Sequence, residues 1–163
     1  MTSAIYPGTF DPITYGHLDL IERSLKIFGH LLVAVGHNPE KTPMFSAEDR
    51  VEMIKQVTSD YTQVEVTKYS GLLVDFAKER QVFSVVRSLR TTTEYEVELS
   101  MAVANRQLNP NLEVVFLTPS LEYTYLNSTT VREIAQFGGD ITPFVPPLIA
   151  ENLRKRFTEA KGR

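Results

Sequence analysis

Short apolar runs alternate with amphipathic stretches along most of this chain. The first run, Ser3–Tyr6, has strand character and breaks at Pro7-Gly8. From about His17, Leu18, Ile21, Leu25 and Phe28 fall on one face of a helix that Gly29 closes. The unbroken run His30–Val35 predicts a central strand buried on both faces. Ser46-Ala47-Glu48-Asp49 has the pattern of a helix cap, followed by Val51, Ile54 and Val57 at helical spacing. Val64 and Val66 alternate with polar neighbours as a strand, and residues 72–78 read as a short helix. Val82–Val86 and Val114–Leu117 predict two further strands, separated by a long helix over about 93–108. Another helix begins near Ser128–Thr130 and stops at Gly138-Gly139. Pro146-Pro147 opens a last one through Leu148, Leu153 and Phe157.

Strands alternating with helices predict an α/β fold: one doubly wound, Rossmann-like, five-stranded parallel sheet with helices on both faces. Ligands of such sheets bind beyond the carboxyl ends of the strands, where strand order reverses. A length of 163 residues suits a single domain spanning 1–163. The chain carries 42% apolar and 23% charged residues, the balance of an ordinary globular protein. A net charge of −3 argues against a nucleic-acid partner. With no cysteine, thiolate metal sites, disulfides and cysteine nucleophiles are excluded. No apolar run is long enough to span a bilayer and no leader pattern precedes the first strand, so the expectation is a cytoplasmic protein without a membrane partner.

The predicted strand ends carry the polar chemistry. After the first come Gly8-Thr9-Phe10-Asp11-Pro12 and Thr14-Tyr15-Gly16-His17, a glycine-bearing turn leading into a helix. The free N–H groups and positive dipole end of that helix make an anion seat, and Gly8 and Gly16 would let backbone approach a phosphate. Lys41 follows the second strand. Arg87-Ser88-Leu89-Arg90 ends the fourth, and Tyr123–Thr130 leads from the fifth into a helix start rich in hydroxyls. So much positive potential on one edge of an acidic protein points to a polyphosphorylated ligand. Each piece has a plainer reading. Lys41 alone would be a solvated loop lysine, and Arg87 and Arg90 could pair with Glu94, Glu96 or Glu98. Asp11 before Pro12 is first a turn residue. His30 and His37 read as structural or loop residues, and Arg154-Lys155-Arg156 as a solvated helix end. Their recurrence at four strand ends favours the ligand.

Two segments resemble signatures of one superfamily. Thr14-Tyr15-Gly16-His17 is similar to the (T/H)xGH motif of nucleotidyltransferases, and Asn127-Ser128-Thr129-Thr130-Val131-Arg132 to the SSTxxR motif of its small members. Between them, Tyr6–Pro12, Lys41–Phe45, Gly71–Ala77, Glu94-Tyr95-Glu96 with Glu98, and Asn105–Leu108 resemble bacterial phosphopantetheine adenylyltransferase over nearly the whole chain. The resemblance implies adenylyl transfer from ATP to phosphopantetheine, giving dephospho-coenzyme A and pyrophosphate in coenzyme A biosynthesis. Carried over by position, Thr9, Lys41, Leu73 and Arg87 would contact phosphopantetheine. Thr9, Phe10, His17, Ser88, Leu89, Arg90, Glu98, Tyr123, Thr124, Tyr125, Leu126, Asn127, Ser128 and Thr129 would contact ATP. The catalytic set would be His17, as transition-state stabiliser, with Lys41 and Thr9. Magnesium carried on the ATP phosphates and a homohexamer are also implied, with no protein ligands named for the metal.

Two positions depart from the family pattern. Ser88 stands in the place of a glycine, where serine would be strained if the backbone needed positive φ. Asn127 replaces a common serine and caps helices equally well. The rival readings are a small nucleotidyltransferase with a different phosphate acceptor and a non-catalytic nucleotide sensor.

Overall fold

The structure is a computed structural model that describes residues 2–37 and 42–161. Five strands, β1 (Ser3–Gly8), β2 (His30–His37), β3 (Val64–Ser70), β4 (Ser84–Ser88) and β5 (Glu113–Leu117), form one sheet in the order β3-β2-β1-β4-β5. Every pairing is parallel. The chain winds outward from β1 to β3, then crosses back to lay β4 against the other edge of β1. The predicted doubly wound sheet is therefore present, with its reversal of strand order between β1 and β4.

The helices are α1 (Tyr15–Leu25), α2 (Ala47–Val57), α3 (Leu73–Arg80), α4 (Thr92–Leu108), α5 (Ser128–Gln136) and α6 (Pro147–Lys161). A short 3-10 turn over Leu121–Tyr123, unforeseen in the sequence, precedes α5. Side chains of adjacent strand residues divide between the two faces. Ala4, Tyr6, Leu31, Val33 and Val35 join one core with Leu20, Ile21, Ile54, Ile149 and Leu153. Ile5, Leu32 and Ala34 join the other with Val74, Phe76, Ala77, Val85 and Leu112. Burial on both faces explains why β2 reads as an unbroken apolar run.

Several predicted boundaries move. β1, β2 and β4 run further toward the cleft than their apolar residues suggest, because backbone pairing continues through Gly8, His37 and Ser88. α1 starts two residues earlier and ends at Leu25, before Gly29, with Lys26 as its C-cap. The capping box predicted for α2 is present: Ser46 accepts from the Asp49 N–H, and Asp49 accepts from the Ser46 N–H.

Candidate active site

A cleft of about 1000 Å³ opens at the carboxyl ends of β1 and β4, where strand order reverses. Its floor is the turn after β1. Phe10 in that turn has φ 50°, a left-handed conformation uncommon outside glycine. Its ring is buried edge-on against Tyr6 and His17, at centroid distances of 5.2 and 5.0 Å. A Cβ on Gly8 would stand 2.8 Å from that ring. Gly8 is thus required by Phe10, a demand separate from its reading as a close approach for phosphate, and it lines the cleft as well. Gly16, which lines the cleft, has only ordinary contacts around a notional Cβ, so its openness is toward the cavity.

His17 sits at N3 of α1 in a capping box with Thr14. The Thr14 backbone N–H donates to Nδ1 of His17 at 3.0 Å. An N–H can donate only to an unprotonated nitrogen, so the ring proton belongs on Nε2. Burial, with the nearby Arg90 guanidinium adding to it, pulls the imidazole pKa down to about 4. The group is therefore a neutral Nε2–H donor at neutral pH, available to a ligand oxygen without releasing its proton.

The two arginines of β4 and the loop after it are both paired. Arg87 donates from Nε to Glu98 at 2.8 Å, from Nη2 to the other Glu98 oxygen, and from Nη1 to the Pro7 carbonyl at 2.9 Å. Arg90 donates to both Glu94 oxygens at 3.2 and 2.6 Å and to the Leu126 carbonyl at 2.7 Å. These pairings match the plainer reading of both arginines. They leave the cleft open, and in each case two of the five guanidinium N–H groups remain for a ligand. Ser88, the end residue of β4, is absent from the positive-φ residues, so serine in the family's glycine place is unstrained.

The opposite wall comes from α5. The Asn127 carboxamide accepts from Thr130 N–H at 2.9 Å, leaving the Ser128 and Thr129 N–H groups without partners among the described residues. Ser128 Oγ donates to the Pro12 carbonyl at 2.8 Å, and Arg132 donates to the Asp11 carbonyl and to Thr129 Oγ1. Asp19 on α1 accepts from Ser120 N–H and Oγ at 2.9 and 2.6 Å, fixing the start of the same loop. The second signature segment is thus bonded directly to the turn that leads into the first.

Thr9, Phe10, His17, Leu73, Arg87, Ser88, Arg90, Glu98, Tyr123, Leu126, Asn127, Ser128 and Thr129 all line this one cleft. Leu89, Thr124 and Tyr125 do not. The Leu89 N–H is spent on the Leu117 carbonyl at 3.0 Å, and Tyr125 is 86% exposed beside a separate apolar hollow. Lys41 lies outside the described residues. Sequence reasoning passed over Arg50, named Arg132 only within the second signature, and read Asp11 as a turn residue. Asp11 uses both oxygens to accept the Met44 and Phe45 N–H groups at 2.8 and 3.0 Å. Aspartate there is a turn organiser, as its place before Pro12 suggested.

Comparison with known proteins follows the same lines. A family profile described as cytidylyltransferase-like matches residues 5–134. A phosphopantetheine adenylyltransferase of Caldanaerobacter subterraneus subsp. tengcongensis is 47% identical over 160 residues, covering 98% of this chain and 100% of that one. One from Thiobacillus denitrificans is 47% identical over 159 residues, covering 98% and 99%. The chain belongs to the phosphopantetheine adenylyltransferase family. A solved structure from Vibrio parahaemolyticus, provisionally described as a nicotinate-nucleotide adenylyltransferase, superposes with a TM-score of 0.69 over 94% of this chain and 91% of that one. At 17% identity that likeness speaks for the fold.

Within this family's fold, the donors around the cleft suit anions more than metals. Its described carboxylates, Asp11, Glu94 and Glu98, are committed to backbone N–H groups or arginines. Among the described residues no group of three or more His, Asp or Glu could hold a metal ion. None of the helices among the described residues is long and apolar enough to cross a membrane.

Proposed function

We propose that this chain transfers the adenylyl group of ATP to phosphopantetheine, yielding dephospho-coenzyme A and pyrophosphate, in coenzyme A biosynthesis. One observation carries the reading: a chain 47% identical to phosphopantetheine adenylyltransferases along almost its full length brings both nucleotidyltransferase signatures to one cleft. Two anionic substrates must meet there. The half of the cleft lined by Gly36, Leu73 and Arg87 suits the acceptor, with an apolar wall for its pantetheine arm. The half lined by Arg90, Tyr123, Ser128 and Thr129 suits ATP.

The chemistry needs little more than alignment. The acceptor is a phosphate monoester with a second pKa near 6, largely a dianion at pH 7, so no general base is required. One of its oxygens attacks the α-phosphorus in line, forming a P–O bond as the bond to the β-phosphate oxygen breaks. Pyrophosphate leaves with the electron pair. His17 Nε2–H donates to a non-bridging α-phosphate oxygen, and Thr9 orients the incoming phosphate. Arg90 and the free N–H groups of Ser128 and Thr129 hold the β- and γ-phosphates as charge builds on the leaving group. Lys41, by the family resemblance, would donate to an oxygen of the pentavalent phosphorus. Magnesium, held by the phosphates and not by a protein cage, would supply further charge neutralisation.

The test is pyrophosphate release with ATP and magnesium in the presence of phosphopantetheine, a sugar phosphate, nicotinamide mononucleotide or flavin mononucleotide. Turnover with phosphopantetheine at least tenfold above the others is expected. Equal or faster turnover with another acceptor replaces the reading, and nucleotide binding without pyrophosphate makes the protein a sensor.

The proposal extends to a cytoplasmic homohexamer. α4 supports assembly: it buries none of its residues within the protomer and leaves Tyr95, Leu99 and Val103 exposed apart from the cleft, which Val97 and Met101 line. So much apolar surface on one helix suits contact with further copies. Light scattering that reports a monomer at micromolar concentration would overturn the assembly, and cell fractionation tests the compartment.

A further inference from the structure

Arg50 is the largest of the side chains that are fully buried, at 1% exposure, and no role has been given to it. It sits on α2, one turn from the N-cap, and forms no ion pair among the described residues. Instead its guanidinium gathers four backbone carbonyls. Nε donates to Phe45 and Ser46 at 3.1 and 3.2 Å, and Nη1 donates to Thr9 at 2.6 Å and Gly36 at 3.2 Å. Those carbonyls belong to three separate pieces of chain: the turn after β1, the end of β2 and the start of α2.

A buried cation spent on carbonyls is costly, because desolvation penalises the charge and no carboxylate offsets it at contact distance. Burial accordingly lowers the guanidinium's affinity for its proton. A fold needing only to fill this space would be served by an apolar side chain. A planar fork, by contrast, fixes the relative positions of three loops through bonds of set direction. The three loops are those bordering the acceptor half of the cleft, which Arg50 itself lines.

We infer that Arg50 is a positioning residue for the adenylyl acceptor: its guanidinium pins the Thr9 and Gly36 carbonyls together, so that the turn after β1 presents Thr9 in line with the incoming phosphate. The inference rests on the transfer reaction proposed above. Arg50 touches no reacting atom in this role. Its effect passes through the backbone of Thr9, while the ATP half of the cleft has further contacts of its own, from Asp19 to Ser120 and from Ser128 and Arg132 to the Pro12 and Asp11 carbonyls further along that turn.

R50K tests this, since lysine keeps the charge and much of the bulk yet cannot reach three loops in one plane. Turnover should fall about 10- to 100-fold, the order expected when a positioned group is misplaced by about 1 Å. KM for phosphopantetheine should rise, KM for ATP should stay within about threefold, and the deficit should persist at temperatures well below the unfolding transition. In the T9V background R50K should add little further loss, because both act through one residue. Turnover of R50K within twofold of wild type, equal rises in both KM values, or multiplying losses in the double variant would each overturn the inference. If R50K does not fold, wild-type protein labelled with ¹⁵N-arginine gives a second readout. Its Arg50 Nε–H should exchange slowly and shift on addition of phosphopantetheine but not of a non-hydrolysable ATP analogue. A signal indifferent to phosphopantetheine overturns the inference. All comparisons are made relative to wild type with whichever phosphate acceptor it turns over, so a wrong acceptor and a wrong role for Arg50 fail separately.

Discussion

The backbone N–H of Thr14 donates to Nδ1 of His17 at 3.0 Å, and this bond decides what the imidazole can do. It holds the tautomer with the proton on Nε2 and fixes the ring at the mouth of the turn after β1. Replacing His17 with alanine removes one preorganised donor. Turnover should drop about 10²–10³-fold while KM for ATP changes little, because the donor matters most as charge develops. Steady-state pyrophosphate release measures both. A variant with near-native turnover would return His17 to a capping role.

The same histidine predicts a pH signature. Its folded pKa of about 4 lies below the unfolded value near 6.5, so between these values the unfolded chain binds more protons. Its stabilising effect is complete above pH 6.5 and is lost as pH falls toward 4, by on the order of 1–2 kcal/mol for a partly buried ring. H17Q keeps a side chain able to accept the Thr14 N–H but cannot titrate. Urea unfolding of wild type and H17Q should give stabilities that diverge between pH 6.5 and 4, with wild type losing more. The inflection of kcat/KM near pH 6 should persist in H17Q, since it belongs to the substrate phosphate.

Arg87 and Glu98 form a two-bonded pair within the cleft. R87A leaves Glu98 unpaired beside the acceptor half. It should destabilise the protein and raise KM for phosphopantetheine by about tenfold or more. In a double-mutant cycle with E98A, denaturant unfolding should show a coupling of about 1–2 kcal/mol. A coupling near zero would mean the pair is a contact without energetic weight.

Gly8 and Ser88 should respond unequally to exchange. G8A pushes a methyl into the Phe10 ring, so a cost of about 1–3 kcal/mol and slower turnover are expected from displacement of that ring. S88G restores the residue usual in the family at a strand position without positive φ. It should cost about 0.5–1 kcal/mol from added chain freedom and leave turnover within about threefold. Thermal melts with parallel assays separate the two. A gain of stability in S88G would show strain at Ser88 that its backbone does not reveal.

The alternation of apolar runs with amphipathic stretches was enough to determine the sheet, its strand count and its parallel sense, because each strand must bury both faces under crossover helices. The two signature segments likewise announced a nucleotide edge, since turn residues and helix caps are local chemistry. What tertiary structure decided lies in contacts between segments far apart in the chain. Arg50 and Thr9 are 41 positions apart, Asp11 and Arg132 are 121 apart, and their pairing follows only once the sheet brings β1, β2 and α5 to one end. Gly8 answers to a ring two residues on that turns back over it, and Leu89 points its N–H into β5 and away from the cleft. Local pattern carries periodicity and capping. It carries no information on which carbonyl a buried guanidinium will find, and that choice shapes the acceptor half of this site.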